Sequence, residues 1–200
     1  MKKIKLITTL KLAIVLFCFS ASLSSCNKDG SSEPDDPNIV YTTFNKTLTS
    51  SIGVIVTDSL DFNLDTKTDF KILSGFTASG DTAAAYLLGV NGESYIDSTL
   101  NYSSVYQTVA LSSGQAPMAH STAKQWSIIG AVALKRGSGN IWGFAGAGDK
   151  FIPLSFNNIL TGKYHYGWVR VNVSSDFTTF KIIDGAYNLV PETPIKMGAK

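Results

Sequence analysis

No stretch after residue 38 carries apolar residues at a sustained 3.6-residue spacing. The chain has instead short apolar or alternating runs, cut by Gly, Asn, Asp and Ser. Such runs build strands, because side chains alternate across a pleated backbone with a period of two. The marked runs are Ile39 to Phe44, Ile52 to Thr57, Thr68 to Phe76, Ala84 to Val90, Val105 to Leu111, Trp126 to Leu134, Ile141 to Ala145, Lys150 to Phe156, Tyr164 to Val173 and Phe177 to Ile183. Asn91-Gly92 closes the fourth as a strong turn dipeptide. Asp81 to Leu88 has the composition for a helical turn or two, but Gly89 stops it. This pattern predicts an all-β fold, a single antiparallel β-sandwich or jelly-roll-like domain over residues 39–200.

The clearest run is Tyr164-His-Tyr-Gly-Trp-Val-Arg-Val-Asn-Val173. His165, Gly167, Val169, Val171 and Val173 share one face, which is expected to be buried. Tyr164, Tyr166, Trp168, Arg170 and Asn172 share the other, which turns polar towards its end. Ser174-Ser175-Asp176 reads as a hairpin loop, with the next strand returning antiparallel.

The start of the chain is an address. Lys2, Lys3, Lys5 and Lys11 surround the beginning of a segment whose apolar run is Leu12-Ala-Ile-Val-Leu-Phe-Cys-Phe19. The run is far short of the roughly 20 apolar residues that span a bilayer. Residues 1–25 therefore read as a secretory signal peptide. Leu23-Ser24-Ser25-Cys26 resembles the bacterial lipobox, which implies diacylation of the Cys26 thiol, cleavage before it and acylation of the new amino group. Residues 26–38 are poor in large apolar side chains and rich in Ser, Pro and Asp, as a flexible tether is. Lys28-Asp29 resembles export signals that carry lipoproteins of some Gram-negative bacteria to the outer cell surface, although Gly30 interrupts the pattern. The expected location is the outer membrane, facing outward, with the membrane as a partner through the lipid.

Composition matters once the signal is set aside. Of 17 basic residues, the four signal lysines leave 13 against 15 acidic ones, a net −2. That balance argues against a nucleic-acid partner. Cys18 leaves with the signal, so Cys26 is the one cysteine of the mature chain, with no internal disulfide and no Cys-based zinc site.

Two segments carry a family likeness. One is Asp58-Ser-Leu-Asp-Phe-Asn-Leu-Asp-Thr-Lys-Thr-Asp-Phe-Lys-Ile72. The other runs from Tyr164-His-Tyr-Gly-Trp through Asp184-Gly-Ala-Tyr-Asn188 to Pro194-Ile-Lys-Met-Gly198. Together they resemble a family of exported, anchored bacterial β domains of uncharacterised activity. Its members open with an aspartate-rich loop and an Asp-Phe strand and close on Tyr-Gly-Trp, Ala-Tyr and Pro-Ile-x-x-Gly. Pro153 stands where that family has a glycine. The resemblance implies a fold and a location but no activity.

Three constellations are candidates for chemistry. Asp61, Asn63, Asp65 and Asp69 lie at odd spacings and could present oxygens to Ca2+, since Asp-x-Asn-x-Asp resembles the start of a calcium loop. An EF-hand would need Gly at Thr66 and Glu at Ile72; the plain alternative is a polar turn. Trp126, Trp142 and Trp168 could stack on sugar rings, although large aromatics also dominate cores. Trp142, beside the glycine-rich segment Gly143 to Asp149, is the first choice for exposure. His120 and His165 sit in no recognised catalytic motif, and no Gly-x-Ser-x-Gly elbow occurs. The expectation is a non-catalytic, lipid-anchored envelope protein that binds a glycan or a surface protein. The alternative is a secreted carbohydrate-active hydrolase on a jelly-roll-like scaffold, with two carboxylates facing across a groove.

Overall fold

The computed structural model describes residues 36–102, 105–117, 124–158 and 162–200. The signal segment, Cys26, most of the tether and His120 lie outside them. Every regular element among the described residues is a strand. In chain order these are β1 (Ile39–Thr49), β2 (Ile55–Leu60), β3 (Phe70–Phe76), β4 (Thr82–Gly89), β5 (Gly92–Tyr102), β6 (Val105–Thr108), β7 (Lys124–Ser127), β8 (Ile129–Arg136), β9 (Asn140–Gly143), β10 (Lys150–Asn158), β11 (Lys163–Val173) and β12 (Thr179–Asn188). The expected all-β class is what the chain adopts.

All of these strands belong to one hydrogen-bonded sheet, in the order β1-β12-β11-β10-β5-β6-β8-β4-β3-β2; β7 is added to β5 and β9 to β8. Pairing is antiparallel except where Tyr106 and Gln107 of β6 run parallel to Gly130 and Ala131 of β8. The sheet curls until its two ends meet. Lys46 Nζ of β1 donates to Asp58 Oδ2 of β2 at 2.7 Å, and Ser50 Oγ lies 3.2 Å from Ser74 Oγ. The result is nearly a barrel. Two separately hydrogen-bonded layers, as a sandwich has, are not what the pairing shows, because β5 and β6 bridge them continuously from β10 to β8.

The interior is filled, not hollow. Leu60, Phe70, Ile72, Leu87, Val132, Ile152, Leu154, Phe156, Val169, Val171, Phe180 and Ile182 form its core, each at most 1% exposed. They come from alternate positions, as the two-residue period requires. Phe62, from the aspartate-rich loop, plugs the core. Its ring stacks on Phe44 and meets Phe70, Phe156 and Tyr187 at centroid distances of 5.7 to 6.3 Å. Gly167 of β11 and Gly185 of β12 make room for it: a Cβ at either would come within 2.9 Å of the Phe62 ring.

The outer face of β11 is covered as well, which its sequence did not announce. Trp168 packs there with Ala186, Ile195 and Met197, so the C-terminal Pro-Ile-x-x-Gly segment is a lid on the sheet. Tyr166 packs with Tyr95 and Trp126. β11 is thus a central strand with two buried faces along most of its length.

Three local expectations change. Residues 92–102 form β5, a strand hidden by its polar composition. Trp126 to Leu134 breaks into β7 and β8 at the exposed Ile128. Asp81 to Leu88 contributes to a strand, not helical turns. Asn91-Gly92 is the expected turn, and it forms a corner between strands that do not pair: β4 pairs with β3 and β8 while β5 pairs with β10, β6 and β7. The corner is tight enough that a Cβ on Gly89 would fall 1.8 Å from the Gly92 carbonyl oxygen.

Candidate functional site

The aspartate-rich loop is knitted to its own backbone. Asp61 accepts from the amides of Asp65 at 3.1 Å and Thr66 at 2.8 Å. Asn63 Oδ1 accepts from Asp65 N, and Asp65 Oδ1 from Lys67 N. Asp69, 2% exposed, accepts from Phe62 N at 2.8 Å and Asn63 N at 3.4 Å. All four side chains therefore bond backbone amides of their own loop, with Asp69 buried and Asp65 exposed, and Leu64 and Thr66 take left-handed φ values of 59° and 73°. Among the described residues no group of three His, Cys, Asp or Glu side chains is arranged to hold a metal ion. What the loop visibly does is present Phe62 to the core. Burial pushes the Asp69 carboxyl up to about 6, against the two amide hydrogen bonds and with help from Asp65 and Asp61.

The three tryptophans separate. Trp168 is 1% exposed between Phe151 and Tyr41, and Trp126 is 8% exposed against Tyr95 and Tyr166. Neither offers a ring face to solvent, so both correct to packing residues; aromatic burial on the outer sheet face outweighs stacking on a ligand. Trp142, on β9, is half-buried and paired across the strands with Leu134. It retains a partly open position. His165 is the hydrogen-bonded sheet residue its alternation suggested: its Nδ1 lies 2.8 Å from the Asn188 carbonyl oxygen, and its ring stacks on Phe156.

A concave site lies elsewhere. Val90, Asn91, Gly92, Glu93, Ile128, Asn157, Gly162 and Tyr164 line an open depression of about 380 Å³. Register explains how they converge. Ser155 of β10 stands opposite Glu93 of β5 and Tyr166 of β11, and Asn157 stands opposite Tyr164. Directly opposed residues share a sheet face. The corner after β4 supplies the rest, tied down as Asn157 N donates to the Asn91 carbonyl at 2.9 Å. That corner is bound in turn to the aspartate loop: the amides of Val90 and Asn91 both donate to the Asp69 carbonyl, and Asn91 Nδ2 donates to the Thr68 carbonyl.

The depression is amphipathic. Val90 and Ile128 are 52% and 58% exposed at its rim. Asn91, Glu93 and Asn157 bring amides and a carboxylate, and Tyr164 an aromatic ring. Behind Tyr164, Glu192 Oε1 accepts from the Tyr164 amide at 3.0 Å. Burial first, then Glu192 and Glu93, hold the Tyr166 phenol above its ordinary range.

No family model, curated protein or solved structure matches this chain. The reading of the site rests on its own geometry. Sequence reasoning passed over Glu93, Asn157 and Tyr164, because residues from three strands meet only through register. The one available signal was the Asn91-Gly92 corner beside them.

Proposed function

We propose that this chain is a lipid-anchored protein of the bacterial cell envelope, held at the outer membrane by acylated Cys26, whose β domain is a non-catalytic binding module for glycans. Its scaffold is the curled, nearly closed sheet around the Phe62 core, which carries the depression beside β5, β10 and β11. The observation that supports binding is the open depression around Tyr164. Sugars need an apolar surface for their C–H faces and fixed polar groups for their hydroxyls, and ligand sites combine these two features. Val90, Ile128 and the Tyr164 ring meet the first need; Asn91, Glu93 and Asn157 meet the second.

A glycan array probed with the full-length protein in detergent tests the reading. Signal on defined glycans, lost in Tyr164→Ala and kept in Trp142→Ala, supports the depression. Loss in Trp142→Ala alone moves the site to β9. A blank array overturns glycan binding and leaves a surface protein as the ligand. The hydrolase reading has one observation in its favour: Glu93 lines the depression, and a second carboxylate, Glu192, is bonded to the amide of lining residue Tyr164. It requires that array hits be cleaved and that Glu93→Gln abolish cleavage. Intact glycans after prolonged incubation would remove it.

A further inference from the structure

One end of the curled sheet carries an apolar rim, and the chain enters the domain at that end. Register places the elements. Ile39, the first residue of β1, stands opposite Asn188, the last of β12. Phe70, the first residue of β3, stands opposite Leu60 and Gly89, the last of β2 and β4. Phe62 joins the two groups, for its ring stacks on Phe44 of β1 and meets Tyr187 of β12. The start of β1, the segment after β12, the aspartate loop and the corner after β4 therefore share one end. It exposes Leu64 at 62%, Leu189 at 47% and Val190 at 42%, besides Val90 and Ile128 at the rim of the depression. Leu189 N donates to the Asn38 carbonyl at 2.7 Å, one residue ahead of β1. Apolar side chains collected on one surface and rimmed by polar ones mark an interaction site.

The length of chain before β1 selects the partner. Residues 26–38 separate the proposed anchor from Ile39, and a tether of that length spans about 20 Å on average. The opposite end, where Ile52, Val54 and Ile55 are exposed, lies the 11-residue length of β1 away, roughly 35 Å. An anchor at Cys26 therefore keeps the first end nearest the bilayer. Charge selects the kind of contact. Asp36, Asp61, Asp65 and Glu192 outnumber Lys67 and Lys163 at this end, so anionic headgroups offer it no attraction. The contact must be apolar. It can also be weak, because tethering makes docking intramolecular, at an effective concentration on the order of millimolar. We infer that the domain rests this end on the bilayer, with Leu64, Leu189 and Val190 entering the boundary between headgroups and acyl chains. The inference goes beyond the glycan reading and rests on the acylated Cys26 proposed above. These three residues do not line the depression, so docking leaves its polar groups to a ligand.

The test uses the acylated full-length protein in phosphatidylcholine vesicles. Acylation blocks the Cys26 thiol, so an environment-sensitive fluorophore labels one new thiol in each of Leu64→Cys, Leu189→Cys, Val190→Cys and, at the opposite end, Ile55→Cys. The first three labels should shift their emission to the blue and be quenched by brominated acyl chains; the fourth should do neither. Exchanging part of the phosphatidylcholine for anionic lipid should not deepen the quenching. Leu64→Asp with Leu189→Asp should abolish it at Val190→Cys while the protein stays on the vesicles. Circular dichroism checks the fold of each variant, and the three positions report independently. Absence of quenching at all three, equal quenching at Ile55→Cys, or quenching that needs anionic lipid overturns the inference while the anchor stands. Absence of quenching with cross-linking between vesicle-bound copies assigns the end to a second copy instead. An unmodified Cys26 in the intact mass overturns the anchor, and the inference with it.

Discussion

Phe62 and Asp69 show how one loop serves the core. The Phe62 ring fills the space left by two glycines, Gly167 and Gly185, and touches four other aromatic rings. Truncating it should leave a cavity that backbone cannot close, so Phe62→Ala is expected to cost about 3–5 kcal/mol in urea unfolding. Asp69 acts through linkage. Its folded carboxyl titrates at about 6 against an ordinary 3.8, chiefly because it is buried. The folded state therefore holds a proton that the unfolded chain has already lost between those values. Stability should fall as pH rises through that window, by on the order of 3 kcal/mol, and level off above it. Asp69→Asn keeps an acceptor for the Phe62 amide and cannot ionise, so unfolding curves across roughly pH 4 to 7 should lack this slope. Asp58, lowered by its hydrogen bond from Lys46, works in the opposite sense: its contribution is present above the ordinary carboxylate range and lost as pH falls below it. Because the aspartate-loop oxygens already accept backbone amides, millimolar Ca2+ should leave the melting temperature in place; a rise on calorimetry would restore the calcium reading.

Between elements, the joint of β1, β11 and β12 depends on one buried carboxylate. Asp184 is 1% exposed. It accepts from Arg170 Nε at 2.9 Å, from Arg170 Nη2 and from the Tyr41 hydroxyl at 2.7 Å. Arg170 continues to Asp149, whose other oxygen accepts from Asn172. Asp184→Ala would strand a guanidinium and a phenol together. The expected loss is about 2 kcal/mol, below the 3–5 of a fully buried pair because Arg170 keeps contact with water. Asp184→Asn should cost less, as it still accepts from Tyr41. A double-mutant cycle with Tyr41→Phe would show coupling between the two if they act as one unit.

The same scale shows where a one-dimensional reading succeeds. β3, β10 and β11 stand in the sequence because β-branched and aromatic residues alternate there between turn residues. β5 does not: Glu-Ser-Tyr-Ile-Asp-Ser-Thr-Leu-Asn-Tyr shows little apolar contrast, and its strand state comes from neighbours on both sides. The second buried face of β11 was equally hidden. Trp168 is covered by Ile195 and Met197 some thirty positions downstream, and no local pattern records who will lie on top. The candidate site shares that obstacle, since Glu93, Asn157 and Tyr164 are neighbours only after three strands align.

As a whole molecule, the chain curls its large sheet so that the two edges come side by side. Free edges invite pairing with other chains. Here β1 and β2, the ends of the strand order, approach closely enough for the Lys46–Asp58 ion pair, and Ser50 just past β1 reaches Ser74 of β3. The attachment proposed for this body is tested at the same scale. Cys26→Ala should move the protein from the membrane to the soluble fraction or leave it unprocessed, because two or three acyl chains hold where one holds marginally. A mutant that stays with membranes through a high-salt wash would refute the anchor. Sequence alone determined the all-β class, since strand periodicity is local and every stretch of pleated backbone imposes it. It also supplied the expectation of a lipid anchor, written in a short contiguous motif. Only the tertiary structure decided that the strands join in one curled sheet, that two of three tryptophans are packing, and where an amphipathic depression forms. Those outcomes depend on register and on coverage between distant segments, which are set by which surfaces can be buried together.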